Sequence, residues 1–156
     1  MTTALRALDD ADLDSVFAWE SDPAANRMAV LTREDPTDRA AFDAHYRRIR
    51  ADESVLIRAV VHDGQLAGTI GSFSIDGERE VTYWVDPARW GRGIATEALR
   101  QLLTIETEQP LHARVAGANS ASRRVLEKVG FRLDDAQPTT VLWRGAEVTQ
   151  LALTLE

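Results

Sequence analysis

Along the chain, the spacing of hydrophobic and polar residues switches repeatedly between strand-like and helix-like periods. Thr2 to Leu8 alternates as a strand with one buried face does. Asp9, Asp10 and Asp12 then provide a cap and first-turn acids for a helix through Trp19, with Leu13, Val16 and Phe17 on its apolar stripe. Ser21-Asp22-Pro23 breaks that helix, Ala24 to Val30 is spaced as another short one, and Thr32 to Asp38 has the composition of a loop. Arg39 to Ala51 is helical again. Ala41, Phe42, Ala44, His45, Ile49 and the stem of Arg48 can share one apolar face, with most charges opposite. His45 has neither a paired carboxylate nor a second ligand at metal spacing, so it is expected to be a partly buried helix residue.

From Val55 the period drops to two. Val55 to Val61, Leu66 to Ile75 and Glu80 to Val85 alternate as strands, and Asp63-Gly64 and Asp76-Gly77 between them are strong hairpin signals. Asp86-Pro87 ends the third strand. After a glycine-bearing loop, Ile94, Ala95, Ala98, Leu99, Leu102 and Leu103 recur at helical spacing, and the helix is expected to run to about Gln109, where Pro110 stops it. Leu111 to Ala116 is a short strand and Ser120 to about Val129 a helix. Gly130 follows as its left-handed cap residue, and Phe131 begins another strand. Val141 to Trp143 and Val148 to Leu155, around Arg144-Gly145, close the pattern. This order predicts an α+β fold on a central mixed, mostly antiparallel sheet flanked by helices.

Composition narrows the reading. With 156 residues and 44% hydrophobic content, one domain over residues 1–156 with a single core is expected. There is no cysteine, so disulfides, thiolate metal sites and a cysteine nucleophile are ruled out, and no metal is expected. No run approaches the ~20 apolar residues that span a bilayer, and no leader-like segment begins the chain; a cytoplasmic protein without membrane contact is expected. A net charge of −7 speaks against nucleic-acid binding. The acidic excess is concentrated in the N-terminal third, while Arg89, Arg92, Arg123, Arg124 and Lys128 lie near the glycine loop or on the later helix. That distribution suits a phosphorylated ligand.

The loop itself, Trp90-Gly91-Arg92-Gly93-Ile94-Ala95-Thr96, lies between a strand and a helix start. Unpaired helix amides and the positive dipole end would face an anion there, and the glycines let a ligand approach the main chain. A tight strand-to-helix connection would use the same residues. The longer string Trp90 to Ala98 resembles the acetyl-CoA signature of the GNAT superfamily of N-acetyltransferases, in the Trp-Gly-Arg-Gly-x-Ala-Thr-Glu-Ala form found in the branch of ribosomal-protein alanine N-acetyltransferases. Trp90 stands where the wider family has Gln or Arg. Asn119-Ser120-Ala121-Ser122 followed by Lys128-Val129-Gly130-Phe131 resembles a second string of the same branch.

The resemblance implies a GNAT-like fold over essentially the whole chain, with acetyl-CoA as cosubstrate. Its pantetheine arm would lie between two splayed strands, on main-chain groups of Tyr83, Trp84 and Val85, with the pyrophosphate on the amides of Gly91, Arg92, Gly93, Ile94, Ala95 and Thr96 beside Trp90. It also implies direct transfer to an amine. Ser122 is then the candidate proton donor to the CoA sulfur, Asn119 a contact to the pantetheine region, and the backbone N–H near Val85 an oxyanion donor. Asn119 could equally be its helix's cap, and Ser122 a polar first-turn residue. Glu80 shares a strand face with Thr82 and Trp84, and is either a base for the acceptor ammonium or a solvated strand residue. The acceptor is expected to be a primary amine, either a protein N-terminus or a small amine, and the protein a monomer or homodimer. A non-catalytic acyl-CoA-binding module is the alternative. A dinucleotide fingerprint is not met, since its third glycine is missing.

Overall fold

The computed structural model describes residues 2–29, 35–134 and 138–156. Strand β1 (Thr3–Arg6) is shorter than the alternation suggests: it ends at Arg6, whose side chain reaches toward the residues that follow. Its guanidinium holds both Asp12 oxygens, at 2.7 and 2.9 Å, and Asp12 also accepts the Asp9 N–H at 2.8 Å. That knot, dominated by the Arg6 hydrogen bond, keeps the Asp12 carboxyl below its ordinary range and folds Asp10–Asp12 into a 3-10 turn ahead of helix α1 (Leu13–Ser21). Within α1, Val16, Trp19 and Glu20 are buried, whereas Leu13 and Phe17 are only half-buried.

Pro23, expected only to break a helix, is the first residue of α2 (Pro23–Ala29). Proline fits there because no intrahelical bond uses its missing N–H, and the Asp22 side chain accepts the next two amides, those of Ala24 and Ala25. The expected helix end at Val30 and the loop positions 32–34 lie outside the described residues. α3 (Arg39–Ala51) has the expected bounds, capped by Asp38 through the Ala41 N–H. Its buried face differs from the expected one. Phe42 and Tyr46 are buried and Ile49 and His45 half-buried, while Ala41, Ala44 and Arg48 are exposed. The ring of Tyr46 stacks beside Phe42 at 4.6 Å between centroids, and an aromatic ring buries far more apolar area than an alanine methyl.

The middle of the chain is a meander of β2 (Leu56–His62), β3 (Gln65–Ile75) and β4 (Glu78–Val85). Both turn residues of each hairpin have positive φ: 51° and 82° at Asp63-Gly64, 52° and 79° at Asp76-Gly77. This is the twist that two-residue hairpins require. After the glycine loop comes α4 (Ile94–Ile105), then β5 (Leu111–Ala116), α5 (Ser120–Lys128), β6 (Arg132–Leu133), β7 (Thr139–Trp143) and β8 (Ala146–Leu155). α4 ends at Ile105 rather than near Gln109, because Glu106 leaves the helix path to meet the buried Arg79 and the Ser72 hydroxyl.

Among the described residues eight strands form one sheet, ordered β1-β2-β3-β4-β5-β8-β6, with β7 also on β8. All neighbours are antiparallel except β4 and β5, which run parallel and share only Arg79↔Leu111 and Glu80↔His112 before they diverge. One sheet face packs on α4 and α5 through Ile70, Val81, Leu99, Leu102, Leu126 and Leu153. Each such fully buried leucine contributes about 1.5–3 kcal/mol of apolar transfer. The other face carries Val16 and Trp19 of α1 and Phe42 and Tyr46 of α3. The divergence of β4 and β5 therefore opens a passage through the sheet, between two separately built helical layers.

Candidate active site

The passage is an open cleft of about 990 Å³. Its first wall is the free edge of β4. The Asp86 N–H bonds to Ala67 O on β3 at 2.8 Å, and main-chain groups alternate in direction along a strand. Trp84 thus turns its amide and carbonyl to β3, while those of Tyr83 and Val85 face the gap that β5 has left. The Val85 carbonyl accepts the Trp90 indole N–H at 3.0 Å, which folds the loop back over the strand end. Trp90 is otherwise 47% exposed.

At the end of that edge lies the loop. Gly91 and Gly93 have φ of 81° and 76°, a conformation other residues rarely adopt, and a Cβ added to either would meet nothing within 4 Å. The main chain is thus unobstructed at both glycines, and both line the cleft. The first intrahelical bond of α4 runs from Glu97 N–H to Gly93 O, so the amides of Ile94, Ala95 and Thr96 have no acceptor inside the helix. Ile94 buries its side chain in the core and offers the cleft only its backbone, and Thr96 is also buried. Unpaired amides at a helix N-terminus present donors and a positive dipole end to the cleft, an arrangement suited to an anion. Arg92, Arg124 and Lys128 add positive charge to the cleft wall. Arg89 also lines the cleft, but its guanidinium is engaged in shaping the loop, bonding Gln65 at 2.6 Å and lying 3.6 Å from Asp86; Arg123 spans to Glu127.

The third wall is the start of α5. Asn119 is its cap, accepting the Ser122 N–H at 3.1 Å, and both residues line the cleft. Ser122 Oγ lies 2.6 Å from the Tyr83 hydroxyl. Burial pushes the Tyr83 phenol up to about 12, against a smaller lowering by the Ser122 hydrogen bond.

On the far side the cleft is lined by Thr82 and Trp84, by His45, Tyr46 and Ile49 of α3, and by Glu20 of α1. The buried Glu20 carboxylate accepts the Tyr46 hydroxyl at 2.6 Å, and the Glu20 carbonyl accepts Asn26 Nδ2 at 2.8 Å. Glu80 shares the face of Thr82 and Trp84 but is 7% exposed and not part of the cleft wall. Its Oε1 pairs with Arg114 Nε at 2.6 Å, and Arg114 is the residue that lines the cleft at that level.

Tyr83, Trp84, Val85, Trp90, Gly91, Arg92, Gly93, Ile94, Ala95, Thr96, Asn119 and Ser122 thus all border one cleft, and Glu80 stands behind it. Sequence reasoning missed Glu20 and Tyr46, and for Tyr83 it considered the main chain alone. The i, i+4, i+7 spacing of Phe42, Tyr46 and Ile49 was a usable signal for Tyr46. Among the described residues no three His, Asp or Glu side chains gather as a metal-ligand set.

A mixed sheet that splits between β4 and β5, with the N-terminus of α4 at the mouth of the split, defines an α+β fold with an open cleft through its sheet. Sequence comparison resolves the class further: the acetyltransferase (GNAT) domain model matches residues 3–132, and the chain belongs to that family. It is 33% identical over 102 residues to the Bacillus subtilis (strain 168) protein named "Putative ribosomal N-acetyltransferase YdaF", in agreement with the branch the motifs resemble. That match spans 61% of this chain and 56% of the relative, so a large part of YdaF has no counterpart in the match. Among solved structures, a GNAT superfamily phosphinothricin acetyltransferase from Sinorhizobium meliloti in complex with AcCoA superposes with a TM-score of 0.81 at 20% identity, over 99% of this chain and 88% of that one. A spermidine N-acetyltransferase from Vibrio cholerae in complex with CoA and spermine superposes with a TM-score of 0.79 at 18% identity, over 97% and 95%. At these identities the likeness is one of fold.

Proposed function

We propose that the protein transfers an acetyl group from acetyl-CoA directly to a primary amine, a protein N-terminus or a small amine. The observation that carries this reading is the continuity of the open β4 edge with the amide cradle of residues 91–96, which matches an extended arm ending in a pyrophosphate. The cosubstrate supplies an activated thioester, and this chain's residues do the rest. The Tyr83 and Val85 main-chain groups hold the arm, and the Val85 N–H is the donor to the developing oxyanion. Ser122 Oγ gives a proton to the departing sulfur. Glu80 takes one from the acceptor ammonium through water, using the side of its carboxylate not paired with Arg114. Transfer within one ternary complex draws on proximity and needs no covalent enzyme intermediate.

The acceptor would enter from the α1 and α3 side. The Glu20 carboxylate there, and the acidic N-terminal third behind it, favour a cation over an anion. Cytoplasmic location belongs to the same reading. One observation favours the non-catalytic acyl-CoA-binding alternative: Glu80 is tied to Arg114 behind the cleft wall. Release of free CoA, screened over N-terminal peptides and small amines, separates the two. Acceptor-dependent release supports the enzyme, and tight CoA binding with no release across the panel supports the binder.

A further inference from the structure

Tyr83 stands on the open arm of β4 and Ser122 in the first turn of α5, 39 residues apart in sequence, yet their hydroxyls lie 2.6 Å apart beside the cleft. Each hydroxyl has one proton, so the pair has two possible arrangements. If Ser122 donates, its proton is used up on Tyr83 and none is left for the cleft. If Tyr83 donates, the serine keeps a free proton. The surroundings favour the second arrangement. A phenol is a stronger hydrogen-bond donor than an aliphatic alcohol, and the Ser122 carbonyl, 3.3 Å from the same phenol oxygen, is a second acceptor on that side. Asn119 holds the Ser122 N–H, so the serine is fixed from its main chain as well as from its side chain.

We propose that Tyr83 is a positioning residue whose phenol donates to Ser122 Oγ and so turns the serine's own proton into the cleft, where the thioester sulfur is expected. The inference rests on the acetyl-CoA reading above and assigns a role to the Tyr83 hydroxyl that the motif does not carry. The phenol stays protonated throughout the neutral range and so always has a proton to donate.

The test compares binding of CoA with binding of desulfo-CoA, from neutral pH to about pH 10, as the free thiol of CoA ionises. It uses the full-length protein, Tyr83→Phe, Ser122→Ala and the double variant, each with its fold checked by circular dichroism. The parent should come to prefer CoA over desulfo-CoA by about tenfold or more once the thiolate forms, because a hydrogen bond to a charged acceptor is worth that much. Tyr83→Phe and Ser122→Ala should each lose most of that preference, and the double variant no more than Ser122→Ala alone, while desulfo-CoA binds all four alike. In turnover, Tyr83→Phe should lower kcat with little change in KM, and should cost nothing further once Ser122 is alanine. A Tyr83→Phe variant that keeps the full preference, or that adds its loss to that of Ser122→Ala, overturns the inference and leaves Ser122 as donor. If Ser122→Ala keeps the preference, both roles fall. Failure of the parent to bind either ligand sinks the acetyl-CoA reading itself.

Discussion

Glu80 Oε1 and Arg114 Nε meet at 2.6 Å across the point where β4 and β5 part. The pair separates two accounts of Glu80, as a base or as the support of an arginine on the cleft wall. Glu80→Gln retains an oxygen that can accept the Arg114 bond but loses the proton acceptor. As a base, Glu80 should show a loss of about 10²–10⁴-fold in kcat/KM where the amine is protonated, shrinking as pH rises and the amine loses its proton unaided. A loss under about tenfold that is flat with pH would assign Glu80 to holding Arg114. A pH–rate profile of parent and variant on the best acceptor decides.

Arg79, Glu106 and Ser72 close the unsplit end of the β4–β5 pair. Burial alone would push the Glu106 carboxyl up, but hydrogen bonds from Arg79 and Ser72 and the Arg79 charge outweigh it and hold the group below its usual 4.5. The unfolded chain therefore takes up this proton first as pH falls, so the stabilisation is fully present above that value and disappears as pH drops through the lower folded one. Glu106→Gln should cost about 1–3 kcal/mol near neutral pH and flatten the acid limb of the stability curve. Urea midpoints from neutral pH downward measure it; a cost that stays constant down the acid limb would contradict the assignment.

The cradle predicts a dissociation of stability from binding. Gly93→Ala and Gly64→Ala both place a side chain at positive φ with open space around it, so each should cost about 1–2 kcal/mol of stability. Only Gly93→Ala should also weaken CoA binding, by about tenfold or more, because its methyl stands where the pyrophosphate approaches. Calorimetric titration of both variants checks this, and equal affinity in the two would remove residues 91–96 from the cofactor site.

CoA should raise the thermal midpoint by mass action. At a concentration 100 times its Kd the gain is about 2.7 kcal/mol, or about 5–10 °C for a chain of this size, and NADH should give none. A shift with NADH and none with CoA would reverse the ligand assignment.

Much of this was legible in the sequence where local rules act alone. The bounds of α3 and β5, both Asp-Gly hairpins and the left-handed Gly130 cap follow from capping, periodicity and turn chemistry. The misses share one cause, which is that a distant partner overrides a local signal. α4 stops early because Glu106 has Arg79 to reach, and β1 is cut short by the Arg6–Asp12 pair. Pro23 is a helix start because Asp22 caps the turn. The cleft wall proposed for the cosubstrate could be named from the sequence because most of it is one contiguous motif. The acceptor side could not: Glu20 and Tyr46 come together only after α1 and α3 have packed.

The strand β4 has one edge bonded to β3 along its whole length and another that loses its partner after Glu80. Its amides therefore belong alternately to two environments. Those of Thr82 and Trp84 are shielded inside the ladder, while those of Tyr83 and Val85 face solvent although they sit in the middle of the sheet. Hydrogen exchange along this single strand should alternate residue by residue, slow and then fast, until a ligand lies down along the gap and supplies the absent rungs. The cosubstrate would then act as a temporary ninth strand, joining two half-sheets that the polypeptide itself leaves almost separate.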